Sequence, residues 1–110
     1  MNSRGLSGLL VWVTSCAALM TGAAYAHYPT LACNKDASDN SLITCEAGYS
    51  DASLAGEVEL RVYSYDDELL DKVKTASDGS AQIKAPEMEF YIKFDPGHES
   101  PAEFDYVELN

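Results

Sequence analysis

The sequence predicts a small all-β protein, an antiparallel β-sandwich with one disulfide, and three observations lead there. After residue 26, apolar residues recur with the two-residue period of half-buried strands. Clusters of Asp, Gly, Pro and Ser separate these runs at intervals of about 8–12 residues, the spacing of a sandwich. No helical period is sustained beyond one or two turns in the same stretch.

The elements follow in order. Residues 42–45 make a short strand and residues 48–53 a polar loop. From Gly56 the chain alternates cleanly: Val58, Leu60 and Val62 point one way, and Glu57, Glu59, Arg61 and Tyr63 the other. The polar run Tyr65-Asp66-Asp67-Glu68 ends that strand in a turn. Residues 69–75 form the next, with Lys72 and Lys74 set against Val73. Asp78-Gly79 suits the positive φ of a tight turn and leads into residues 81–84, where Ala81 and Ile83 oppose Gln82 and Lys84. Pro86 interrupts. Met88, Phe90, Ile92 and Phe94 then make the clearest apolar face in the chain, against Glu89, Tyr91 and Lys93. Residues 95–101, with two prolines and a glycine, are a loop. Phe104, Tyr106 or Val107, and Leu109 predict a last strand.

The first 26 residues read as an export signal rather than as part of this domain. Arg4 supplies the basic start, an apolar stretch runs from Leu6 to Met20, and Ala24-Tyr25-Ala26 has the small-x-small order that signal peptidase cuts. Cleavage there leaves residues 27–110 as one domain beginning with His27, in the periplasm or outside the cell. A competing signal is Val13-Thr14-Ser15-Cys16, the order of a lipoprotein that carries lipid on its cysteine. The apolar run before Cys16 is short and broken by Gly8, which favours the cut before His27.

Charge and cysteine content narrow the function. All 18 acidic residues lie after residue 26, with six of the seven bases, so the exported part carries an excess of 12 negative charges. That excess argues against nucleic acid or an anionic membrane as partner and favours small cations. Cys33 and Cys45 are the two cysteines left after cleavage, and in an oxidising compartment they pair. Such a bridge stabilises a domain this small by roughly 2–3 kcal/mol. Their spacing is neither Cys-x-x-Cys nor a zinc pattern.

The stretch from Ala55-Gly56 through residues 58–63, the Asp66/Asp67 turn, Leu69-Leu70, Lys74-Thr75, Asp78-Gly79, Ile83, Pro86 and Tyr91-Ile92-Lys93-Phe94 resembles the carboxypeptidase-regulatory or transthyretin-like sandwich. The likeness covers roughly residues 54–98. Ala76-Ser77 separates Thr75 from Asp78, where that family usually has its Asp directly after the Thr. An exported sandwich beginning with His also resembles periplasmic metal-uptake accessory proteins of this fold and, on a different barrel, the CopC-like copper-resistance proteins. These resemblances imply metal binding through the terminal His.

Chemistry points the same way. A terminal His offers its α-amine and its own Nδ1 to one ion, and a second imidazole completes the three-nitrogen set called a histidine brace. His98 is the other histidine of the exported part, in Asp95-Pro96-Gly97-His98-Glu99, with Asp95 or Glu99 as oxygen ligand or orienting partner. Three nitrogens and one oxygen suit copper(II) best, with nickel and zinc as the other candidates. The expected protein is therefore a non-catalytic holder of a divalent metal ion, for delivery, sequestration or hand-off to a membrane transporter or another envelope protein. The alternative is that His27 is an accident of cleavage and His98 an exposed turn residue. The domain is then a structural or interaction module, meeting an envelope protein or a sugar through its strands and tyrosines.

Other chemistry is poorly served. Residues 65–68 and Asp71 lack the glycine and ligand periodicity of a calcium loop. No Gly-x-Ser-x-Gly elbow accompanies His98, so no catalytic residue is assigned. Oxidative polysaccharide cleavage by a brace needs a broad flat face, which 84 residues hardly provide.

Overall fold

Seven strands build two antiparallel sheets in the computed structural model, which describes residues 27–110. The export signal and Cys16 lie outside the described residues. Strands β1 (Pro29–Lys35), β2 (Leu42–Tyr49) and β5 (Ser80–Lys84) form one sheet in the order β1-β2-β5. Strands β3 (Glu59–Ser64), β4 (Leu69–Lys74), β6 (Phe90–Phe94) and β7 (Ala102–Asp105) form the other, in the order β4-β3-β6-β7. Alternation decides what faces inward. Ile43, Cys45, Ala47 and Ile83 come from the first sheet, and Leu60, Val62, Phe90, Ile92, Phe94 and Phe104 from the second. Together they make one buried cluster, each large aliphatic or aromatic side chain contributing roughly 1.5–3 kcal/mol.

Cys33 stands directly opposite Cys45 in the β1–β2 register, and the two are joined as a disulfide. The bridge staples adjacent strands inside the core, since both residues are buried. Beside it, Gly79 holds φ +84° at the start of β5, and a side chain there would run into the Ala47 carbonyl. Thr75 is buried at the end of β4. Its hydroxyl donates to the Gly56 carbonyl at 2.6 Å and accepts from Val58 N–H at 2.8 Å, tying the entry of β3 to the exit of β4.

The structure departs from the sequence expectation at four places. β1 was not foreseen, because Pro29, Ala32 and Asn34 are poor strand formers and its place is set by pairing with β2. β2 continues past Cys45 to Tyr49, taking in Gly48 and Tyr49 from the start of the expected loop. Met88 is exposed rather than on the apolar face, because the chain bends after Pro86 and enters β6 only at Phe90. The last strand stops at Asp105, whose side chain accepts from Val107 N–H while Glu108 accepts from Asp105 N–H. That reciprocal cap folds Tyr106–Glu108 into a 3-10 turn.

Three tyrosine hydroxyls brace this end of the second sheet, Tyr65 donating to Asp105 (2.6 Å), Tyr91 to Asp67 (2.6 Å) and Tyr106 to Glu89 (3.4 Å). Donation to a carboxylate holds the proton on, so the Tyr65 and Tyr91 hydroxyls are pushed up to about 12. A folded-state value above the unfolded one means that this stabilisation is complete below about pH 10. It is lost as pH rises through about 12. Ultraviolet titration of tyrosinate should therefore show late-titrating tyrosines, and the late amplitude should shrink by two groups in Tyr65→Phe plus Tyr91→Phe. A single transition near pH 10 in the wild type would refute these hydrogen bonds.

Candidate metal centre

The amino-terminal end of β1 is anchored to the loop after β2. Tyr28 N–H donates to Ser50 Oγ at 3.1 Å, and Ser50 N–H returns a bond to the Tyr28 carbonyl at 2.8 Å. The reciprocal pair fixes the residue next to His27 against the turn at residues 50–53.

That turn is one of four Asp-x-Ser turns, at Asp36, Asp39, Asp51 and Asp78. In each, one carboxylate oxygen accepts from both the N–H and the hydroxyl of the serine two residues on, as in an Asx-turn. At Asp51 this oxygen is Oδ1, with Ser53 at 3.0 Å (N) and 2.6 Å (Oγ). The Ser53 bonds, and to a smaller degree the nearby His27, hold the Asp51 carboxyl below its usual range. Its other oxygen, Oδ2, lies 3.6 Å from His27 Nδ1.

His27 and His98, far apart in sequence, line the same cleft. It has a volume of about 360 Å³, and Tyr49, Ser53 and Glu99 complete its lining. The β1 start therefore returns alongside the loop that follows β6. Both histidines are exposed and Glu99 is half-buried. Tyr49 backs the cleft and packs edge-on against the buried Phe94, ring centres 5.8 Å apart.

Asp95 stands elsewhere. Its Oδ1 accepts from Gly97 N–H at 2.9 Å, closing the turn in which Gly97 takes φ +93°. It lines a neighbouring cleft with Glu59, Arg61, Tyr63, Lys93 and Gly97. There Arg61 pairs with Glu59, and Lys93 lies 5.5 Å from the Tyr63 ring centre.

The sulfur atoms of Cys33 and Cys45 are committed to each other, which leaves nitrogen and oxygen donors at the cleft. Among the described residues, no group of three or more His, Cys, Asp or Glu side chains stands close enough together to hold one metal ion. The cleft is instead lined by imidazoles from two segments distant in sequence and by one carboxylate, that of Glu99. Asp51 was not among the residues singled out from sequence. Its Asp-x-Ser signal is legible, but it occurs four times and only folding brings one copy to a histidine.

No family model, curated protein or solved structure matches this chain. The likeness to transthyretin-like and CopC-like proteins thus rests on the residues quoted for it alone. Among the described residues, no helix is long and apolar enough to cross a membrane.

Proposed function

We propose that this chain is an exported metal-binding protein that holds a divalent ion, copper(II) before nickel or zinc, between His27 and His98. The observation that carries the reading is the cleft these two histidines share. A brace needs only two residues, because one of its three nitrogens is the α-amine released when the chain is cut before His27. The side chain of His27 is 57% exposed, so its ring is free to turn toward an ion. With both cysteines oxidised, the donors are nitrogen and oxygen, which favours copper(II) over copper(I). The bound ion supplies a positive centre; the protein's part is to hold it at an open cleft from which a receiving protein can take it.

The test is direct. Amino-terminal sequencing of the exported protein should give His27 first, and copper(II) titration should give a nitrogen-rich type 2 EPR signal. His98→Ala should remove one nitrogen and weaken binding at least tenfold, the usual scale for a lost ligand or its close support. Identical titrations of wild type and His98→Ala would overturn the reading. The second reading, an envelope interaction domain, draws on the exposed Tyr28, Leu54, Tyr65, Leu69, Met88 and Val107, and gains if the wild type takes up no metal.

A further inference from the structure

We infer that the end of the second sheet away from the His27–His98 cleft is a docking surface for a cationic, amphipathic polypeptide segment, one that carries Lys or Arg around an apolar anchor. This surface does not depend on the metal-binding reading and stands if that reading falls.

Topology assembles it. Ser64 pairs with Phe90 and Tyr91 with Asp105, so β3 ends, β6 begins and β7 ends on one side of the domain. The turn at residues 65–68, the approach to β6 at residues 87–89 and the 3-10 turn at Tyr106–Glu108 are therefore neighbours. The Tyr65–Asp105 hydrogen bond ties the first to the third, and the Tyr106–Glu89 bond ties the third to the second. The Tyr65 and Tyr106 rings meet edge-on, 5.9 Å between centres. β6 runs from here to Phe94, and the loop carrying His98 lies at its other end.

The surface is apolar at its centre. Six large apolar side chains stay exposed among the described residues, and four are here: Tyr65 (45%), Leu69 (48%), Met88 (54%) and Val107 (68%). The other two, Tyr28 and Leu54, are held to Ser50 and Gly48 at the cleft end. The Asp105/Glu108 cap fixes the turn that presents Val107 to solvent. The surroundings are acidic. Residues 65–71, 87–91 and 105–108 contain eight Asp or Glu and no Lys, Arg or His. Close acid–base contacts among the described residues join His27 to Asp51, Arg61 to Glu59 and Lys93 to Glu103, so none of the eight is neutralised.

Charge complementarity selects the occupant. Eight like charges repel an anionic bilayer and the same face of a second copy. A neutral sugar could stack on the rings but would leave the carboxylates unanswered. A segment bearing Lys or Arg neutralises them while its apolar side chain covers Met88 and Val107. The Tyr65 and Tyr106 hydroxyls already donate to carboxylates, which leaves their ring faces to receive a guanidinium. Because these bonds hold the frame before anything docks, little ordering is required on binding.

The probe is a short peptide alternating arginine and leucine, titrated into the exported protein and followed by amide NMR shifts. The shifts should fall on residues 65–71, 87–91 and 105–108, and a peptide alternating arginine and serine should bind at least about tenfold more weakly. Met88→Ser plus Val107→Ser should lose about tenfold or more in affinity, while Leu54→Ser, equally exposed and at the other end, should match the wild type. Both sites are exposed, so the fold is retained. Glu68→Gln plus Glu87→Gln should weaken binding and flatten its salt dependence. Glu46→Gln plus Glu57→Gln removes two exposed charges elsewhere and should do neither. Equal weakening by that control pair, equal affinity for the arginine–serine peptide, shifts centred outside the three segments, or no binding at all would each overturn the inference. Copper uptake or its absence alters none of these outcomes, so the two proposals fail separately.

Discussion

Copper(II) affinity is expected to fall about 10⁵-fold between pH 7.5 and pH 5. The size follows from proton competition at a three-nitrogen site. An ordinary imidazole, with a pKa of about 6.5, is about nine-tenths deprotonated at pH 7.5 and only about 3% at pH 5, a factor of about 30. An α-amine near 7.8 loses about 200-fold over the same range. Two imidazoles and one amine multiply to about 10⁵, since metal and proton compete for each nitrogen independently to first order. The same arithmetic makes the slope diagnostic. Two imidazoles without the amine give about 10³, and one imidazole about 30. Carboxylates alone give a change of well under tenfold, because they are ionised at both ends. Isothermal titration at four pH values, against a competing chelator, separates these cases. A change of about 10³-fold or less would sink the brace even if copper binds.

Little of that site was legible in the sequence, and the reason is physical. The histidines were visible as residue types, and the cleavage pattern marked His27 as a future terminus. Nothing local, however, brings His27 to residues 95–101; that follows from β1 pairing with β2 and from the Tyr28–Ser50 bonds. Flanking position also misleads for oxygen donors. Asp95 is three residues from His98, yet the Pro96-Gly97 turn spends its carboxylate on the Gly97 N–H. Asp51 is remote in sequence from His98 and adjacent in space to His27.

The fold was more legible, and unevenly so. β3, β5 and β6 were readable because each has apolar residues at every second position, and that pattern has one answer when a single face is buried; in β4 the half-buried Leu70 and Val73 stand three apart, across a register shift opposite Val62 and Tyr63. β1 also alternates, with Pro29, Leu31 and Cys33 turned inward, but Pro29, Ala32 and Asn34 are poor strand formers and mask the pattern; Pro29 sits at the first position, where a missing N–H does no harm. The tail failed for a different reason. Tyr106 and Leu109 are both half-buried, as a strand reading allows, but the Asp105/Glu108 cap satisfies backbone groups that a continued strand would leave unpaired. A local hydrogen-bond choice overrode an apolar spacing there.

The second large effect belongs to the core beneath the cleft. Phe94→Ala is expected to cost about 3–5 kcal/mol, the range for removing a fully buried phenylalanine and leaving a cavity. Phe94 is 1% exposed and sits between Leu60 on β3 and Ala102 on β7 in the second sheet. A domain of this length has a total stability of only about 4–13 kcal/mol, so the loss is a large share of it. With an m-value of about 1.5 kcal/mol/M, the urea midpoint should drop by about 2–3 M. Met88→Ala makes a comparable loss of apolar volume at a residue that is 54% exposed, and should move the midpoint by less than about 0.5 M. The consequence reaches the surface because Tyr49 rests on Phe94 from one side and lines the His27–His98 cleft on the other. In the fraction that stays folded, Phe94→Ala leaves Tyr49 without its backing, and the lining of the cleft loses a fixed side chain. Copper binding should then weaken in Phe94→Ala and remain unchanged in Met88→Ala. If Phe94→Ala costs less than about 1 kcal/mol, this ring does not fill the space between the sheets, and the packing that carries Tyr49 to the cleft is wrong.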